Sequence, residues 1–100
     1  MPEEVNQLLI DIKVILRVSN SAYDNEITDL IASAKKDLEL TGIDSSKIVE
    51  TDELIKRAIA LYCKAHFGYD NADHERLIKA YDLLKGHISI SVDYVVEVVE

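Results

Sequence analysis

The chain is poor in the residues that punctuate or staple a fold: its 100 residues include one proline, three glycines, one cysteine, one phenylalanine and no tryptophan. A single cysteine excludes an intrachain disulfide, and Cys63 sits in an apolar helical run, where an inert core thiol is expected. Gly42, Gly68 and Gly86 each directly follow a helical pattern, so all three are expected as helix stops and none is left to cradle a phosphate. No apolar run approaches the ~20 residues of a membrane span, and Glu3 and Glu4 stand where a secretory leader needs basic residues. A soluble protein made in the cytoplasm is expected. Basic residues are scarce too: 11 against 19 acidic ones give a formal net charge of −8, which argues against a protein clamped onto nucleic-acid phosphates.

What is present is helical periodicity. With 48% of residues hydrophobic, the composition describes one globular domain. Val5, Leu8, Leu9, Ile12, Ile15 and Leu16 follow three-and-four spacing and predict a helix over about residues 4–17. After the polar cluster from Ser19 to Asn25, the stripe Tyr23, Ile27, Leu30, Ile31, Ala34 and Leu38 predicts a second helix over 22–41. Thr51, Asp52 and Glu53 suit the positive start of a third, whose broad face of Leu54, Ile55, Ala58, Ile59, Leu61, Tyr62 and Ala65 marks it as the central helix, between the second and the fourth. The fourth is expected over 72–85, with Leu77, Ile78, Tyr81 and Leu84 on one face and a stop at Gly86.

Beyond Gly86 the pattern shifts to period two, with Ile88, Ile90, Val92, Tyr94, Val96 and Val98 alternating with the residues between them, which is a strand pattern. The residue pattern therefore predicts an all-α fold, a small four-helix bundle-like domain over residues 1–87, with an extended, strand-like docking tail over 88–100. The absence of Gly, Pro or Asn after residue 86 disfavours a hairpin within the tail and favours strand addition onto a partner.

The segment between the third and fourth helices gathers the residues with the most chemical potential. Phe67 and Tyr69 flank Gly68 as an aromatic corner, and Asp70 and Asn71 are placed to cap the next helix. His66, Asp70, Asp73 and His74 carry the atoms a metal needs, but the two histidines straddle a helix break and no thiolate pair accompanies them, so no metal is assigned. No nucleophile stands beside an orienting base, and the carboxylates are spread along polar faces, so no catalytic residue and no cofactor is expected. Tyr62 and Tyr81 read as core, and Lys35 and Lys36 as a solvated face.

The stretch Leu61-Tyr-Cys-Lys-Ala-His-Phe-Gly-Tyr-Asp-Asn-Ala-Asp-His-Glu-Arg-Leu77, the run Tyr81-Asp-Leu-Leu-Lys-Gly-His-Ile-Ser-Ile-Ser91 and the opening helix Leu8–Val18 together resemble the small head-to-tail connector proteins of long-tailed bacteriophages. The resemblance implies a virion structural protein at the head-tail interface, assembled in the host cytoplasm. It implies a ring of subunits under the portal vertex that extends the DNA channel and touches both the portal protein and a downstream head-completion or tail-adaptor protein. DNA would pass without sequence-specific binding, and no membrane is involved. On this reading Phe67, Tyr69 and Asp70 shape a contact corner of the body, while Ile88, Ile90, Val92 and Tyr94 supply the alternating contacts of the tail. The runner-up is a cytoplasmic helical adaptor or regulatory module that adds its C-terminal strand to a partner protein.

Overall fold

The computed structural model describes residues 4–49, 51–68, 72–91 and 93–94, and these described residues form four helices and a 3₁₀ turn. In order these are α1 (Glu4–Leu16), α2 (Asp24–Leu40), the 3₁₀ turn (Ser45–Lys47), α3 (Glu53–His66) and α4 (His74–Ser89). The described residues form no strand, so the fold is all-α. Helix α3 is the hub, packing against α4, α2 and α1, one neighbour more than the sequence pattern predicts.

Local chemistry sets the helix boundaries. Helix α1 ends in a double hydrogen-bonded cap: Arg17 N–H donates to Val14 C=O at 3.1 Å and Val18 N–H to Lys13 C=O at 2.9 Å. Arg17 takes the left-handed conformation (φ 63°) that this cap requires, a place glycine usually fills. Gly42 fills the equivalent place after α2 at φ 103°, and Ile43 beyond it turns back into the core. The start of α3 is fixed by Asp52 rather than Thr51, its carboxylate accepting from Leu54 N–H at 2.9 Å and Ile55 N–H at 3.1 Å. At α4 the residue in the capping position is Asp73, without a side-chain cap bond, while Asp70 and Asn71 lie outside the described residues.

The core joins all four helices: Leu8 and Ile12 of α1; Ile27, Ile31, Ala34 and Leu38 of α2; Ile55, Ala58, Ile59 and Cys63 of α3; Tyr81 and Ile88 of α4. Ile88 is a correction. The fourth helix does not stop at Gly86 but runs through it to Ser89, because the apolar series Leu77, Tyr81, Leu84, Ile88 stays on one helical face beyond the glycine. Glycine in a helix interior costs about 0.5–1 kcal/mol relative to alanine, whereas burying an isoleucine side chain contributes ~1.5–3 kcal/mol. The burial outweighs the glycine, and the expected strand loses its first two residues to the helix.

Candidate assembly surfaces

The seven residues singled out in the sequence fall into separate places. Phe67 is half-buried, packed on the core and edge-on to Tyr23 with ring centroids 5.5 Å apart, so part of the aromatic corner is a packing lock between α3 and the start of α2. A partly enclosed hollow of about 360 Å³ opens beside it, lined by Tyr23, Glu26, Phe67 and Gly68. Ile88 is 2% exposed, a core side chain and not a docking contact in this conformation, while Ile90, two residues on, is 81% exposed. Tyr69, Asp70 and Val92 lie outside the described residues.

Tyr94 forms the root of the tail, and its surroundings are specific. The chain leaves α4 through two turns, with Ser91 N–H donating to Ile88 C=O and Tyr94 N–H to Ser91 C=O, both at 3.1 Å. Tyr94 C=O then accepts from Asp44 N–H at 2.7 Å, and its hydroxyl donates to the Asp52 carboxylate, 3.0 Å from Oδ2. The carboxylate that caps α3 therefore also holds the tail root. The hydrogen bond to Asp52, reinforced by burial, raises the Tyr94 pKa above the ordinary phenol value.

A second polar tie, absent from the sequence reading, joins α2 to α4. The Asp37 carboxylate accepts from Tyr81 Oη–H at 2.6 Å and from Lys85 Nζ at 2.9 Å, and the Lys85 ammonium lies 4.9 Å from the Tyr81 ring centroid. Tyr81 is buried, and burial together with the Asp37 charge pushes its pKa well up. The sequence held a partial signal: Tyr81 and Lys85 are four residues apart, hence on one helical face.

Burial pushes the Asp37 carboxyl up, but the hydrogen bonds from Tyr81 and Lys85 and the Lys85 charge outweigh it and hold the pKa below its ordinary value. A carboxyl depressed in the folded state contributes stability above its unfolded value of 3.8, and that contribution is lost as pH falls through the lower folded value. Asp37→Asn is expected to cost about 1 kcal/mol at neutral pH. It is also expected to flatten the loss of melting temperature on acidification below pH ~4. Thermal melts across that range check both.

The histidine cluster is similarly structural. His74 Nδ1 lies 2.7 Å from Ala65 C=O, tying the start of α4 to the end of α3, and the His66 and His74 rings meet edge to face at 5.5 Å. Burial and the neighbouring His74 lower the His66 pKa against the opposing pull of Asp37. Among the described residues no three His, Cys, Asp or Glu side chains converge to hold a metal ion. Cys63 is fully buried, and burial pushes its thiol up to about 12, which leaves no thiolate for chemistry at neutral pH.

Helix α1 carries the feature that sequence reasoning passed over. Eight of its thirteen residues are apolar, but among those whose side chains the structure describes only Leu8 and Ile12 are buried. Ile10 (51% exposed) and Val14 (72% exposed) form an apolar line on the outer face, one turn apart. On α4, Leu83 (65% exposed) and, just past the end of the helix, Ile90 form a second such line, two turns apart.

The fold and these surfaces define a small all-helical domain that presents apolar side chains on outer helix faces and polar ties between its elements. The model of the phage connector protein family matches residues 8–95, nearly the whole chain, and the protein belongs to that family. It is a structural connector of a bacteriophage. No curated protein and no solved structure matches the chain. Among the described residues no helix is long and apolar enough to cross a membrane.

Proposed function

We propose that the protein assembles as a ring beneath the portal vertex of a phage head, joins head to tail and extends the channel through which DNA passes. The match to the phage connector protein family carries this reading. The outer faces of α1 and α4 support it as two unlike patches, because a closed ring needs a heterologous contact between different surfaces of neighbouring copies. The net charge of −8 supports a passive channel, because an acidic wall repels DNA rather than retaining it. In this reading the portal protein lies on one side of the ring and a head-completion or tail-adaptor protein on the other. Ile90, Val92, Tyr94 and the residues after them form the segment that engages the portal, and Phe67, Tyr69 and Asp70 form a contact corner. The ring forms in the host cytoplasm and remains in the virion.

The structure sharpens the truncation that tests this. Removing residues from position 88 onward would strip Ile88 from the core, whereas deleting residues 95–100 leaves Tyr94 and its bonds to Asp44 and Asp52 in place. The full chain is expected to co-sediment with portal rings of its phage. The 95–100 deletion is expected to keep its helical circular dichroism and to lose that attachment. Failure of the full chain to bind portals sinks the connector reading, and retention by the truncated chain sinks the role of residues 95–100 in it.

A further inference from the structure

We propose that the outer faces of α1 and α4 are the two halves of a head-to-tail contact between copies of this chain, with Val14 of one copy packed against Leu83 of the next. The proposal deepens the ring reading above and rests on it.

The two faces lie on different flanks of the molecule. Lys56 meets α1 through its 2.8 Å ion pair with Asp11, and Tyr62 meets α4 through its edge-to-face contact with Tyr81. These two residues of α3 are about 120° apart around the helix axis, so α1 and α4 are borne on separate sides of the hub. Leu83 also points away from α2, being about 160° around α4 from Lys85, which faces Asp37. A contact joining α1 of one copy to α4 of another leaves an unused α1 and an unused α4 at its ends. It therefore propagates, as a ring requires.

Charge selects a second copy as the occupant. Within about 60° of Leu83 around its axis, α4 carries Arg76, Lys79 and His87 and no carboxylate, and Ile90 follows at its end. Arg76 is held by Asp73 at 3.2 Å, while Lys79 has no ion-pair partner among the described residues. In a chain of net charge −8, such a cationic and apolar strip is complementary to the chain's own acidic surface. On α1 the apolar line is flanked by Asp11, and the helix begins at Glu4. With the N-terminal halves side by side, Asp11, whose carboxylate also holds Lys56, comes level with Lys79. Val14 and Leu83, each about three turns into its helix, then come level.

Disulfide trapping tests the contact with little background, because Cys63 is buried and its thiol stays protonated at neutral pH. Val14→Cys and Leu83→Cys alter exposed positions, so both variants are expected to fold, with circular dichroism as the check. At about 1 mM protein under mild oxidation, an equimolar mixture of the two single variants is expected to give a covalent dimer. The double variant is expected to give a ladder of higher multimers, and each single variant alone to stay monomeric. Adding Lys79→Glu to the double variant is expected to cut ladder yield at least several-fold, as is a rise to ~1 M salt, where the screening length falls to about 3 Å. A dimer from either single variant would reveal a symmetric contact and overturn the proposal, as would the absence of any ladder. Protection of the introduced thiol at position 83 by duplex DNA or by portal rings, without a ladder, assigns that face to the other partner and overturns it too. Portal co-sedimentation separates the outcomes: portal binding without a ladder removes this contact alone, whereas a ladder without portal binding removes the connector reading.

Discussion

Ile88→Ala is expected to destabilise the isolated protein by about 2–4 kcal/mol and to lower its melting temperature by roughly 10–20 °C. The side chain is fully enclosed in the core that α4 shares with the rest of the bundle, so truncation removes buried methyl groups and leaves a void that neighbours fill only in part. Ile90→Ala, two residues away and largely exposed, is expected to stay within about ±0.5 kcal/mol. The contrast separates two accounts of this segment. A strand docked on a partner would bury both isoleucines only in the assembly, and neither substitution would move the melting temperature of the free chain. A helix that continues past Gly86 makes one a core residue and the other a surface residue. Gly86→Ala gives the companion result: no atom lies within 4 Å of an added Cβ, so relief of the glycine's conformational entropy is expected to raise stability by about 0.5–1 kcal/mol.

The segment also shows why its structure was misread from sequence. Ile88 and Ile90 are consistent with period two, yet Ile88 stands four residues after Leu84 and seven after Tyr81, so it fits the helical period equally well. Gly86 tipped the reading towards a stop, as Gly42 and Gly68 correctly did for α2 and α3. The difference is tertiary: at Gly42 and Gly68 the chain takes positive φ and leaves the helix, so that Ile43 reaches the core from outside α2, whereas at Gly86 Ile88 reaches it by staying on the buried face of α4. The stripe Ile27, Ile31, Ala34, Leu38 and the face Ile55, Ala58, Ile59 were legible because periodicity alone fixes a buried face. Ile10 and Val14 were hidden in a helix so apolar that no single stripe stands out, and only the bundle decides which side stays uncovered. The polar ties were the least legible. Asp37 is 44 residues from Tyr81, and Asp52 is 42 from Tyr94, separations at which no local pattern carries the pairing.

Replacing Asp52 by alanine is expected to cost about 2 kcal/mol, more than a helix cap alone, because one carboxylate serves two elements. Losing the bonds to Leu54 N–H and Ile55 N–H at the start of α3 accounts for about 1 kcal/mol. The Tyr94 hydroxyl loses its charged acceptor, for about another 1 kcal/mol at this half-exposed site. Tyr94→Phe removes only the second part and should cost about half as much. In the double variant the two losses should fall short of their sum by about the Tyr94–Asp52 bond, ~1 kcal/mol, because that bond is removed in each single variant. Additive losses would mean that the bond does not exist in solution. Asp52→Asn keeps a capping oxygen but not the charge, so it should retain the α3 start and loosen Tyr94, which amide hydrogen exchange at Leu54, Ile55 and Asp44 resolves residue by residue. Since Asp44 N–H donates to Tyr94 C=O, faster exchange at Asp44 with unchanged protection at Leu54 and Ile55 is the expected pattern. It would mark the tail root as a separable unit, held to the body by the Tyr94 bonds to Asp52 and Asp44 and by the packing of its ring on the core, whose release leaves the four helices intact.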